Sequence, residues 1–267
     1  MQTVRSAAVA GMFYPGNPDA LLHQVESFLH DAKKHSLTPK ALIVPHAGYV
    51  YSGSIAASAY ATILPISHKI KRVVLLGPAH RVAVRGLALP GTEAFDTPLG
   101  RVMVDQDAVR AISHLPQVIV SAAAHREEHS IEVQLPFLQS VLDKFSLLPL
   151  LAGKATADEV AEVLDCLWGG EETLIVISSD LSHYLPYQVA KSTDEKTVQS
   201  ILNFEQPISH ERACGGTPIS GLMIAAKRHG LFPHLLDLRN SGDTAGSHDH
   251  VVGYASLAYT EDRRHVH

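Results

Sequence analysis

The chain has 267 residues, a formal net charge of −5 and 46% hydrophobic residues, enough to bury the core of one large α/β domain. The acidic balance and the lack of a basic cluster argue against nucleic acid as a partner. No apolar run approaches the roughly 20 residues that span a bilayer, and the N-terminal stretch MQTVRSAAVAGMFYPG lacks the apolar segment of a signal peptide. We therefore expect a cytoplasmic protein with no membrane partner.

Short apolar runs alternate with amphipathic segments along the whole chain. The runs predict strands at 41–44, 72–76, 86–89, 101–104, 146–151, 173–178, 234–238 and 250–259. The amphipathic segments predict helices at 17–33, 53–64, 105–113, 130–143, 156–167, 191–203 and 217–229. Several of the runs are apolar at every position, which is typical of strands covered on both faces. The alternation predicts a single α/β domain over residues 1–267, with a central, mainly parallel sheet flanked by helices on both faces.

Three of the predicted strands lead directly into a histidine or an aspartate. ALIVPHAG continues into His46, VVLLGPAH ends at His80, and TLIVISSDLSHY continues into Asp180 and His183. Ligands of open α/β sheets bind beyond the carboxyl ends of the strands, so we expect these side chains to share one site. A single histidine at a strand end is more often a hydrogen-bonding residue, but the repeated arrangement favours a shared site. Neutral imidazole binds iron, copper and zinc.

The two cysteines are too few for a disulfide framework. Cys214 lies in ACGGTPISG, where Thr217 and Pro218 predict the N-cap and first residue of a helix. A thiol just ahead of a helix N-terminus favours the thiolate, and hence metal binding or nucleophilic reactivity. The alternative is a small buried residue in a Gly-rich turn. Cys166 lies on the apolar side of AEVLDCLW, and we expect it in the core.

Further candidate pocket residues come from two segments. In HREEHSIEVQLP, His129 and Glu132 are three residues apart on one face of a predicted helix, so both can reach one pocket. Acidic residues in a first helical turn are also favoured by the helix dipole, and the carboxylates can therefore be structural. Tyr49 and Tyr51, in HAGYVYSG, either line a cleft or pack.

Histidines also occur in the polar C-terminal stretch EDRRHVH. His265 and His267 belong to this stretch, and their charged neighbours predict that both side chains are solvated. We therefore leave them out of the candidate site.

Taken together, these motifs resemble those of the Memo family, which in prokaryotes is also called AmmeMemoRadiSam system protein B. The resemblance runs from end to end and is carried by AGMFYPG, VPHAGYVYSG, LLGPAH, FDTPLG, EEHSIEVQLPFL, ISSDLSHY and CGGTPISG. The family is similar in fold to the class III, LigB-type extradiol dioxygenases. Those enzymes hold non-haem Fe(II) with two histidines and a carboxylate, and leave positions open for substrate and O₂.

The resemblance implies a role for each matching residue. His46 and His80 match the two histidine ligands, and Cys214 matches the Memo cysteine that replaces the carboxylate. His183 matches the acid–base histidine of the dioxygenases, with Asp180 beside it. Because a thiolate is softer than a carboxylate, it favours copper, or iron of altered redox behaviour. The expected cofactor is therefore a single iron or copper ion.

The resemblance leaves three functions open. The preferred one is a mononuclear redox-metal protein, a non-haem metal-dependent oxidoreductase. The alternatives are a non-catalytic adaptor that binds a peptide or an anion in the same pocket, and an extradiol-type dioxygenase for an aromatic diol. The prokaryotic family name implies radical-SAM and AMMECR-type proteins as candidate partners, beside an unknown small molecule or peptide.

Overall fold

Strands and helices alternate in the computed structural model, which describes residues 3–261. The strands are β1 Val4–Arg5, β2 Ala41–Val44, β3 Arg72–Pro78, β4 Leu87–Leu89, β5 Ala94–Thr97, β6 Gly100–Val104, β7 Val118–Val120, β8 Ser146–Ala152, β9 Thr173–Ser178, β10 His183–Leu185, β11 Phe232–Asn240 and β12 Val251–Thr260. The α-helices are α1 Pro18–Asp31, α2 Tyr49–Tyr60, α3 Gln106–Ile112, α4 Ala122–Arg126, α5 His129–Glu132, α6 Leu135–Val141, α7 Ala157–Cys166, α8 Tyr187–Leu202 and α9 Gly216–Arg228. His265 and His267 lie outside the described residues.

The strands form one sheet, whose main path has the order β1-β5-β6-β8-β3-β9-β2-β12-β10. The four central strands, β8, β3, β9 and β2, are parallel to one another. Strand β12 pairs in antiparallel orientation with β2 and with β11. This mainly parallel sheet, with helices packed against it, confirms the predicted fold class. Among residues 3–261, no helix combines the length and apolar character that a bilayer crossing requires.

Successive residues of the central strands point into two separate cores. Val73 and Leu75 of β3 pack in a core shared with α1, α2 and α6. Val74 and Leu76 pack in the opposite core with α3, α7, α8 and α9. Burial on both faces explains why these strands are apolar at consecutive positions.

The predicted helix over 130–143 is wrong in one respect, because the chain forms two short helices there, α5 and α6. Pro136 has no N–H to donate to the carbonyl four residues earlier, so a continuous helix would lose that hydrogen bond. Helix α2 begins at Tyr49 rather than at residue 53, and α8 at Tyr187 rather than at residue 191. Strands β1, β5, β7 and β10, of two to four residues each, were not predicted.

The parallel register brings the strand ends to one edge of the sheet. Val44 at the end of β2 pairs with Ser178 at the end of β9, and Leu76 of β3 pairs with Ile177 of β9. The residues that follow these strands therefore lie side by side. Their side chains form the candidate site.

Candidate metal site

Three imidazoles meet at the carboxyl edge of the sheet. His46 follows β2, His80 follows β3, and His129 begins α5. One nitrogen of each ring lies within 4.8 Å of those of the other two. The rings of His80 and His129 are stacked, with centroids 4.8 Å apart, while the His46 ring stands at 75° and 87° to them. His46 is buried and His80 is exposed, so the cluster opens to solvent on the His80 side.

Glu128 holds His80 in place. Its carboxylate accepts hydrogen bonds from Nδ1 of His80 at 2.9 Å and from the His80 backbone N–H at 2.6 Å. Burial alone would raise the pKa of Glu128, but the hydrogen bonds and charge of His80, with the Ser130 amide, lower it to about 2. Since a carboxylate only accepts hydrogen bonds, Nδ1 of His80 carries a proton, and Nε2 is the ring nitrogen left to face a metal ion.

Cys214 lies directly beside the cluster. Its Sγ is 3.4 Å from Nε2 of His46 and accepts a hydrogen bond from the backbone N–H of Asp180 at 3.3 Å. Helix α9 begins at Gly216, so the prediction of Thr217 as N-cap is wrong. In the metal-free chain the thiol is favoured over the thiolate, because burial, with the Asp180 charge second, raises the pKa of the Cys214 thiol to about 12. A cation bound at the sulfur would reverse this balance.

Asp180 lies behind the loop that carries His46. Its Oδ1 accepts a hydrogen bond from the His46 backbone N–H at 2.8 Å. Burial raises the pKa of Asp180 to about 7, although the amides of His46 and Ala47 and the charge of His80 lower it. At neutral pH this carboxyl can therefore either donate or accept a proton.

His183 lies at the edge of the site. Its Nδ1 is 2.8 Å from the Leu181 carbonyl oxygen, which only accepts hydrogen bonds, so Nδ1 carries the proton and Nε2 is free to accept one. Burial of the ring lowers the pKa of His183, the Leu181 contact raises it, and the nearby charge of His80 lowers it further. A neutral imidazole with a free Nε2 is a suitable general base.

The two tyrosines predicted to line a cleft or pack have different surroundings. Tyr49 is buried, its hydroxyl donates to the Val133 carbonyl at 2.8 Å, and its ring contacts Phe137. It therefore packs in the core. Tyr51, two residues further along α2, is 39% exposed.

Glu132 does not reach the pocket with His129, and this prediction is corrected. The Glu132 carboxylate is fully buried and accepts hydrogen bonds from the Arg5 guanidinium, the Tyr14 hydroxyl and the backbone amides of residues 8–9. These hydrogen bonds occupy both carboxylate oxygens of Glu132. Glu132 thus anchors the N-terminal segment.

Cys166 is a second correction, because the structure places it at the exposed end of α7 rather than in the core. Sequence reasoning also missed two partners of the histidines, Glu128 and Ser178. Glu128 was grouped with acidic residues that suit a helix start, and it does cap α5. Ser178 ends an apolar strand, where a single serine gives no signal of its own.

The side chains present fit a transition-metal ion. Burial lowers the pKa of His46 well below its ordinary value and that of His129 to about 4, so both imidazoles are neutral at pH 7. Nδ1 of His129 is buried and makes no hydrogen bond within the described part of the chain. Neutral imidazoles beside a thiol are a donor set that copper, iron and zinc accept.

Fold and site together define a mainly parallel α/β protein with a histidine-rich candidate metal site at the carboxyl ends of its strands. A family model described as Memo-like protein matches residues 5–258. The chain belongs to this Memo-like family.

Relatives of similar length support the assignment. A MEMO1 family protein of Methanosarcina barkeri is 37% identical over 271 residues, covering 95% of this chain and 99% of the relative. A MEMO1 family protein of Aquifex aeolicus is 35% identical over 269 residues, covering 96% and 99%. The crystal structure of an uncharacterized protein from Escherichia coli K12 covers 82% of this chain and 98% of its own, with a TM-score of 0.51 and 15% identity. That likeness concerns the fold alone.

Proposed function

We propose that this protein holds one redox-active transition-metal ion, iron or copper, and serves a metal-dependent redox function. The observation that supports this most directly is the cluster of His46, His80 and His129, whose nitrogens lie within 4.8 Å of one another. When bound, such an ion would change oxidation state and offer free positions to a small molecule.

The proposed ligand set joins the three imidazoles with Cys214. Resemblance implied His46, His80 and Cys214, and the geometry adds His129, which sequence reasoning had given only as a pocket residue. The contact of 3.4 Å between Cys214 Sγ and His46 Nε2 supports the sulfur as a neighbouring ligand. A sulfur donor would favour copper over harder ions.

Asp180 and His183 would handle protons at this site. The pKa of Asp180 lies at about 7, close to the working pH, which is the condition for efficient general acid–base catalysis. His183 presents a free Nε2 at the edge of the cluster. Neither side chain has to contact the metal ion to act in this way.

Metal content tests the proposal. The full chain would be purified without oxygen and without a metal-binding tag, and iron and copper counted by mass spectrometry. We expect about one ion per chain in the wild type, and loss of that ion in His46→Ala, His129→Ala and Cys214→Ser. The control is His229→Ala, whose ring stacks on Trp168 near the opposite ends of the strands. Full metal content in the three site variants would refute the ligand assignment.

A non-catalytic binding role is the second candidate, and exposed aromatic side chains favour it. Tyr184, directly after His183, is 73% exposed, and Tyr51 is 39% exposed. This alternative predicts that an anion, tested as inorganic phosphate, binds equally well before and after chelation. Equilibrium dialysis that detects no binding to the chelated protein would exclude it.

A further inference from the structure

A chain of buried polar groups lies behind His46, on the side opposite to Cys214. Nδ1 of His46 is 2.9 Å from the hydroxyl oxygen of Ser178. That hydroxyl is in turn 2.6 Å from the carbonyl oxygen of Ser130 and 2.8 Å from the side-chain nitrogen of Gln134. Ser178 is fully buried, so solvent does not compete for these contacts.

The orientation of the Gln134 amide follows from its other neighbours. Its nitrogen lies 2.9 Å from the Pro45 carbonyl oxygen, which can only accept a hydrogen bond, and its oxygen accepts from the Tyr60 hydroxyl at 2.9 Å. The amide nitrogen therefore donates to both Pro45 and Ser178. Tyr60 is fully buried and Gln134 nearly so.

Counting donors and acceptors fixes the proton on His46. The Ser178 hydroxyl has one proton, which it donates to the Ser130 carbonyl, and two lone pairs. One lone pair accepts from Gln134, and the other faces Nδ1 of His46. Nδ1 must then be the donor, so Nε2 carries a lone pair and points towards Cys214.

We propose that Ser178, oriented by Gln134 and Tyr60, is a positioning residue that sets the tautomer of His46 and presents Nε2 as a metal ligand. It does for His46 what Glu128 does for His80 through a charged acceptor. The tautomer is a property of the apo-protein, and its use as a ligand rests on the proposed function. Partners of this kind fix both the proton and the ring orientation of ligating histidines.

The tautomer can be read in the metal-free wild-type protein by ¹⁵N NMR, because protonated and unprotonated ring nitrogens resonate in separate regions. The His46 signals are assigned by their loss in His46→Ala. We expect a proton on Nδ1 and none on Nε2. The reverse pattern would overturn the inference, whatever the variants show.

Ser178→Ala removes the acceptor for Nδ1. We expect the Nε2-protonated form of His46 to appear, and the affinity for Zn²⁺, a redox-inert probe measured against a chromophoric chelator, to fall about 10–100-fold. Tyr60→Phe removes only the hydrogen bond from the Tyr60 hydroxyl to Gln134. We therefore expect a smaller loss of Zn²⁺ affinity and no change in the His46 tautomer. This variant also keeps the test available if Ser178→Ala does not fold.

Ser256→Ala is the matched control, since Ser256 is another fully buried serine whose hydroxyl donates to a backbone carbonyl, that of Ile55. It should leave the His46 tautomer and the Zn²⁺ affinity unchanged. A folded Ser178→Ala that behaves like this control would contradict the proposal. If the wild type binds neither Zn²⁺ nor iron nor copper, the proposed function fails, and the NMR pattern alone decides the inference.

Discussion

Asp194 of α8 is a buried carboxyl that gives the fold a pH dependence of its own. Only 2% of the residue is exposed, and its Oδ1 accepts a hydrogen bond from the Ser182 backbone N–H at 3.0 Å. Burial raises the pKa of Asp194 to about 6, although the Ser182 hydrogen bonds lower it. The folded-state pKa thus exceeds the unfolded value of about 3.9. The contribution of Asp194 to the free energy of unfolding is therefore complete below about pH 4 and is lost as the pH rises through 6.

Asp194→Asn removes this titration and keeps an acceptor oxygen. The free energy of unfolding of the variant, relative to the wild type, should increase by roughly 2–3 kcal/mol between about pH 4 and about pH 8. Urea unfolding at the two pH values measures it. Any constant effect of the amide group cancels in this difference. The same relative stability at both pH values would show that Asp194 does not titrate as described.

At the residue scale, the sequence predicts those site residues that follow the end of a strand. His46, His80, Asp180 and His183 follow apolar runs, and they do lie around one edge of the sheet. The roles of Glu128 and Ser178 depend on contacts between segments far apart in the chain, such as the 2.9 Å contact of Ser178 with His46. No local pattern of residues encodes such a contact.

At the scale of elements, the close approach of β3 to α5 determines where His129 lies. A Cβ atom at Gly77 would be 2.6 Å from Oγ of Ser130 and 2.9 Å from its Cβ. Ser130 Oγ also donates to the Pro78 carbonyl at 2.9 Å, just ahead of His80. The strand and the helix that carry two of the histidines are therefore in direct contact.

Gly77→Ala should push α5 away from β3. We expect a loss of about 1–3 kcal/mol in the free energy of unfolding, as for overpacked cores, together with weaker Zn²⁺ binding. Gly48→Ala is the control, because its Cβ would lie 3.6 Å from the nearest atom and its φ of −57° suits alanine. Urea unfolding and Zn²⁺ titration compare the two. Equal effects of both substitutions would contradict this account of the β3–α5 contact.

Elements with a clear apolar pattern could be predicted, whereas those that depend on pairing with distant segments could not. The central strands are apolar at consecutive positions because each is covered on both faces, and this pattern is visible in the sequence. Strand β1 has two residues, and it exists because it pairs with β5 and because Arg5 binds Glu132. Nothing in Val4–Arg5 alone indicates a strand.

At the scale of the whole molecule, the fold supplies the rigidity that a preformed site needs. Four parallel central strands, packed between two cores, hold the loops that carry His46 and His80, and α5 supplies His129. Alternation of strands and helices was enough to predict this architecture. It was not enough to predict that His129 completes the cluster, because that depends on how closely α5 approaches the sheet.

X-ray absorption spectroscopy of the full chain, loaded with one equivalent of iron or copper, tests the central claim most directly. The account predicts scattering from the ring atoms of three imidazoles and from one sulfur, and loss of the sulfur contribution in Cys214→Ser. An ion surrounded by oxygen ligands alone, with neither imidazole nor sulfur scattering, would contradict it.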